Sequence, residues 1–77
     1  MEIKIKTIAG KDLKLILSPE NTIKDLKLMI EDEELIPYQQ QRLVCNGKIL
    51  LKDTNTISES GISNGNVVHM ILALRGG

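Results

Sequence analysis

The chain finishes Leu74-Arg75-Gly76-Gly77, a carboxylate carried on two glycines. Glycine has no Cβ and is costly to order. A tail of this kind can lie extended in a narrow groove with little bulk near its end. A carboxylate in such a place can serve as an acyl donor once it is given a better leaving group. The competing reading is a terminus that frays, as chain ends commonly do. Residue types alone leave both readings open.

No other group offers an obvious reaction. His69 is the only histidine, and no serine or second cysteine stands at a nucleophile–base spacing. Cys45 is the only cysteine. It cannot form an intramolecular disulfide, so a reducing compartment is expected, and a small, partly buried residue is its default role. One histidine and one cysteine far apart do not make a metal cluster. No glycine-rich phosphate loop opens a helix. The expectation is a chain with no catalytic residue, no metal ligands and no bound cofactor.

Composition narrows the partners. Ten Lys and Arg balance ten Asp and Glu, so no net field draws the chain to nucleic acid or to an anionic membrane. Tyr38 is the only aromatic residue, which argues against base stacking. No apolar run approaches the ~20 residues that span a bilayer. The start of the chain alternates charged and apolar residues, unlike a secretory signal. The 77 residues make one domain, and a monomer is expected.

The elements that would present the tail follow from periodicity. Residues 1–7 alternate, with Met1, Ile3 and Ile5 on one side, as in a half-buried strand. A turn at Ala9-Gly10 leads into a second strand with Leu13, Leu15 and Leu17 inward. Thr22 can cap a helix, and Asp25 suits its first turn. Ile23, Leu26 and Ile30 form the buried stripe of a helix over 22–34, with Leu28 and Met29 off that stripe. Pro37 forbids its continuation. Residues 41–45 make a short strand with Leu43 inward and Arg42 and Val44 outward. Asn46-Gly47 is a strong hairpin turn, returning through 48–50. A polar stretch follows, anchored by Ile57 and Ile62. The last strand covers 67–72, with Val68, Met70 and Leu72 inward and Val67, His69, Ile71 and Ala73 outward. Hairpin, helix, hairpin, loop and strand predict an α+β fold of the β-grasp kind. In it a mixed sheet wraps one main helix, and the last strand lies parallel beside the first.

Two surface features stand out on this plan. Val44 and Ile71 point outward on neighbouring strands, with His69 beside Ile71 and Ile8 at the hairpin tip, which suggests a partner-binding face. Glu31 and Asp32 belong to a run of four acids in the last helical turn. Negative charge there opposes the helix dipole by roughly 0.3–1 kcal/mol per group, so an acidic recognition edge competes with a plain solvated one.

The residues then resemble the ubiquitin family over nearly the whole length. Met1-Glu2-Ile3-Lys4-Ile5-Lys6-Thr7, Gly10-Lys11, Pro19, Thr22-Ile23, Lys27, Ile36-Pro37, Gln40-Gln41-Arg42-Leu43, Gly47-Lys48, Leu50, His69 and Leu72 fall in register before the tail. Lys4, Glu31, Gln39-Gln40-Gln41 and Ala73 resemble the neddylation branch, since ubiquitin itself carries arginine where Ala73 stands. The resemblance implies a β-grasp domain over 1–73 and a flexible conjugation tail over 74–77. It implies a modifier rather than an enzyme, joined through Gly77 by an isopeptide bond to lysines of targets such as cullins. Leu74, Arg75 and Gly76 would be gripped by partners, and Ala73 would set the choice of activating enzyme. The implied partners are E1-like activating and E2-like conjugating enzymes, a deconjugating cysteine protease and receptors for the exposed face. ATP and Mg²⁺ would be used by the activating enzyme. Cytoplasm and nucleus are the implied locations. Lys48 matches an acceptor lysine of the family, as do Lys6, Lys11 and Lys27.

Several positions depart from the family pattern. Leu35 replaces a glycine just past the helix, so a locally different turn is expected. Tyr38 replaces a proline, Cys45 an aromatic residue, and Ser60 a tyrosine that braces the long loop. One residue is inserted within 51–54. A divergent ubiquitin, a β-grasp sulfur carrier ending in a thiocarboxylate, and a non-conjugated ubiquitin-like domain remain the alternatives. The long match and Arg75 weigh against the sulfur carrier.

Overall fold

Alternation of apolar and polar residues produces the strands, and their register decides which residues share a face. The computed structural model describes residues 1–72. The assignments made to Ala73, Leu74, Arg75, Gly76 and Gly77 lie outside the described residues. Strand β1 (Glu2–Lys6) pairs antiparallel with β2 (Asp12–Ile16) and parallel with β5 (Val67–Leu72). Strand β3 (Gln41–Cys45) pairs antiparallel with β5 and with the short β4 (Lys48–Ile49). The order is β2-β1-β5-β3-β4. The last strand is therefore central and parallel to the first, as the element order predicts.

Helix α1 (Ile23–Glu34) starts where the sequence places its cap. Thr22 Oγ1 accepts the Asp25 N–H at 3.1 Å, and Asp25 accepts the Thr22 N–H at 3.0 Å. This reciprocal capping box satisfies two backbone donors at once. The bond from the Thr22 backbone, helped by Asn21, holds the Asp25 carboxyl below its ordinary value. The next two orphan donors go to the long loop: the N–H groups of Ile23 and Lys24 reach the carbonyls of Asn55 and Asp53 at 2.9 and 3.1 Å. The loop is thus tied to the helix start, and Ile57 and Ile62 bury themselves in the core. Thr56 and Glu59 repeat the reciprocal bonding within the loop, and Ser60 Oγ donates to the Thr56 carbonyl at 2.9 Å. These bonds brace the loop where the family carries a tyrosine.

Ile23, Leu26 and Ile30 are fully buried against Ile3, Ile5 and Leu43 of the sheet. Two expectations need correction here. Met29 is half-buried and packs against the core, so the apolar stripe is wider than the spacing of its three principal residues suggests. Leu72, expected inward, is 37% exposed. It pairs with Gln41, the first residue of β3, and so reaches the end of the ladder.

The helix exit also differs from expectation. Leu35 takes the left-handed conformation (φ 59°, ψ 30°) that a glycine would ordinarily supply. Its N–H closes onto the Glu31 carbonyl at 2.7 Å. The turn keeps its geometry, and leucine bears the strain while 85% exposed. At the β3–β4 hairpin, Asn46 (φ 54°) and Gly47 (φ 79°) are both left-handed, as a two-residue primed turn requires.

Candidate interaction face

Strand pairing assembles the outer face of the sheet row by row. Val44 on β3 stands opposite His69 on β5 and, on its other side, opposite Ile49 on β4. His69 in turn stands beside Lys6 on β1. Directly opposed residues share a face, so Lys6, His69, Val44 and Ile49 form one row across four strands. Arg42 and Ile71 form the next row. Val44 is half-buried, while His69 and Ile71 are exposed. Ile8 is exposed in the turn two residues beyond Lys6, at the β1 end of this face. Val44, His69 and Ile71 are brought together, with Ile8 at their margin.

Ile49 was not among the residues singled out from sequence. It is 48% exposed and directly opposite Val44. A strand of two residues has no alternation to read, so only the register after the Asn46-Gly47 turn could have placed it. The result is an apolar centre of Val44, Ile49 and Ile71 edged by Lys6, His69 and Arg42. Such a face can bury aliphatic surface against a partner while its rim stays solvated.

The acidic helix end is less free than it reads. Glu31 accepts the Tyr38 backbone N–H at 3.3 Å. Glu34 pairs with Lys11 at 3.1 Å. Asp32 and Glu33 are exposed, and neither takes part in an ion pair of the described residues.

The matching lysines separate by environment. Lys48 is exposed at the start of β4. Lys27 is buried, and its Nζ lies 2.8 Å from Asp53 Oδ1, with side chains 10% and 37% exposed. Its position four residues after Ile23 puts it on the buried stripe. Gln41 is also buried, and its amide nitrogen donates to the carbonyls of Lys27 and Ile36, each at 3.0 Å. Its parity with Leu43 and Cys45 was the available signal. Cys45 is buried and burial pushes its thiol up, the opposite of what a nucleophile needs. Among the described residues no three His, Cys, Asp or Glu side chains gather as a metal site.

Comparison with known proteins fits this geometry. The chain matches the ubiquitin family over residues 3–75. It is 43% identical over 77 residues to "Ubiquitin-like protein NEDD8" of Dictyostelium discoideum, covering all of this chain and 99% of that protein. It is 42% identical to "NEDD8-like protein RUB3" of Arabidopsis thaliana, with all of this chain and 97% of that protein covered. Against "NEDD8-like protein RUB1" of Saccharomyces cerevisiae the identity is 35%, over all of this chain and 99% of that protein.

Proposed function

The chain belongs to the ubiquitin family, and from that membership we propose that it is a modifier of the neddylation type, attached to other proteins through Gly77. The observation that carries this reading is similarity to NEDD8-like proteins over all of this chain, together with the run Ala73-Leu74-Arg75-Gly76-Gly77.

The chemistry then belongs to partners, and this chain supplies the acyl carbon. In an E1-like enzyme the Gly77 carboxylate attacks the α-phosphorus of ATP, and pyrophosphate leaves with its Mg²⁺. A partner cysteine thiolate next attacks the acyl carbon and AMP leaves, which gives a thioester. Exchange onto an E2-like cysteine follows. A target lysine amine finally displaces that thiol and loses a proton, forming an isopeptide bond. Adenylation replaces a poor leaving group with a better one, and each later transfer passes the acyl group onward until it ends as a stable amide. Gly76 and Gly77 thread the closed site, and Arg75 offers charged donors that suit a carboxylate. Ala73 favours a pocket with no acid waiting for an arginine. Cullin-type scaffolds are the proposed targets, and Val44, Ile71, His69 and Ile8 the proposed receptor face. A cysteine protease would reverse the conjugation. The cytoplasm and nucleus, where these reactions would meet their targets, are the proposed locations.

Deleting Gly77 tests the reading. The shortened chain should keep its melting temperature and lose thioester formation with an activating enzyme. Undiminished charging would sink the proposal. A divergent ubiquitin is the second reading, and Ala73 is the residue that disfavours it.

A further inference from the structure

We propose that the β2–β1 half of the outer sheet face is a second docking surface, which takes a partner protein's short acidic segment bearing one apolar side chain. Lys4 on β1 and Lys14 on β2 stand directly opposite each other. Like charges in that position destabilise a sheet. Both residues are exposed, and neither takes part in an ion pair of the described residues. Lysine on an edge strand such as β2 does guard against edge-to-edge pairing. A glutamate at position 14 would guard the edge equally and would also pair with Lys4. The repulsion is therefore not explained by edge protection.

The surroundings specify the occupant. Ile16, 69% exposed, lies one row away opposite Glu2, and Val67 flanks Lys4 on β5. Asp12, opposite Lys6, closes the other side. Two cations side by side match two carboxylates, and Ile16 offers an aliphatic seat next to them. The flanking carboxylates Glu2 and Asp12 would repel a long polyanion such as nucleic acid or a charged bilayer. A discrete acidic peptide avoids them. The chain carries an exposed acidic pair of its own, Asp32 and Glu33 on the helix, so a second copy is the competitor to separate experimentally.

The test uses the whole chain, labelled with nitrogen-15 and titrated with a synthetic Gly-Ser-flanked Glu-Glu-Leu peptide. Saturable shifts are expected at Lys4, Lys14 and Ile16. Lys14→Glu should weaken the peptide about tenfold, as expected for losing a charge-assisted contact. The same substitution should raise Tm by roughly 1–6 °C, because the repulsion is removed. Lys14→Gln should move both readouts in the same directions by less. A rise in Tm with unchanged peptide binding would overturn the proposal. So would equal shifts from a Lys-Lys-Leu peptide, tighter binding of heparin or anionic vesicles, or shifts that grow with protein concentration in the absence of peptide.

Discussion

Val44 and His69 face each other directly across the β3–β5 ladder. That single pairing fixes the centre of the proposed receptor face, because Ile49 and Lys6 extend the same row on either side. Val44 is half-buried, so its truncation should act on binding more than on folding. Val44→Ala should weaken a ubiquitin-family receptor domain measurably by calorimetry while costing about 1 kcal/mol or less of stability. A large fall in Tm with binding intact would make Val44 a core residue instead.

Thr22→Ala should cost about 1 kcal/mol by removing one side of the capping box, a shift of roughly 4–8 °C in Tm for a domain of this size. Asp25 supplies the other side, and its carboxyl is held down chiefly by the Thr22 backbone bond. Native Asp25 gives up its proton more readily than the unfolded chain does. Its contribution is therefore complete above the ordinary carboxyl value of 3.8 and is lost as pH falls through the depressed native value. Denaturant titrations of wild type and Asp25→Asn should converge at low pH. Parallel pH profiles would show that the cap is not linked to that proton.

Leu35→Gly should stabilise the protein. A left-handed leucine costs about 1–2 kcal/mol, offset by the ~0.5–1 kcal/mol of extra chain entropy that glycine loses on folding. Leu35 is almost fully exposed, so little packing is lost. The expected gain is roughly 0.5–1 kcal/mol, readable as a rise in Tm. A fall would mean that Leu35 makes a contact its exposure hides.

Asp53→Ala should cost about 1–3 kcal/mol, because it strands the buried Lys27 ammonium; the partial exposure of Asp53 keeps the figure below that of a fully buried pair. Lys27→Met with Asp53→Leu should recover much of the loss in a double-mutant cycle. Additive losses would show that the two charges do not depend on each other. The same burial predicts that Lys48, not Lys27, is modified when both are offered to a conjugating enzyme.

What could be read in advance was mostly local. Alternation placed the strands, and Thr22, Asn46 and Gly47 carry turn and cap chemistry within a few residues. The central parallel strand followed from element order. The Lys27–Asp53 pair spans 26 positions, and no periodicity links them. Leu72 failed because parity does not say where the core stops. Ile49 was missed because β4 is too short to show a pattern. The register that sets Lys4 opposite Lys14 has no signature in the two residues themselves. The reading of the tail rests on family resemblance alone.

The central claim is that Ala73 and Gly77 route this chain to a neddylation-type activating enzyme. The direct measurement offers the chain to that enzyme and to ubiquitin's activating enzyme side by side, with ATP and Mg²⁺, and reads thioester formation on non-reducing gels. Charging should favour the neddylation-type enzyme, and Ala73→Arg should shift it toward ubiquitin's. Preference of the unaltered chain for ubiquitin's enzyme would contradict the account.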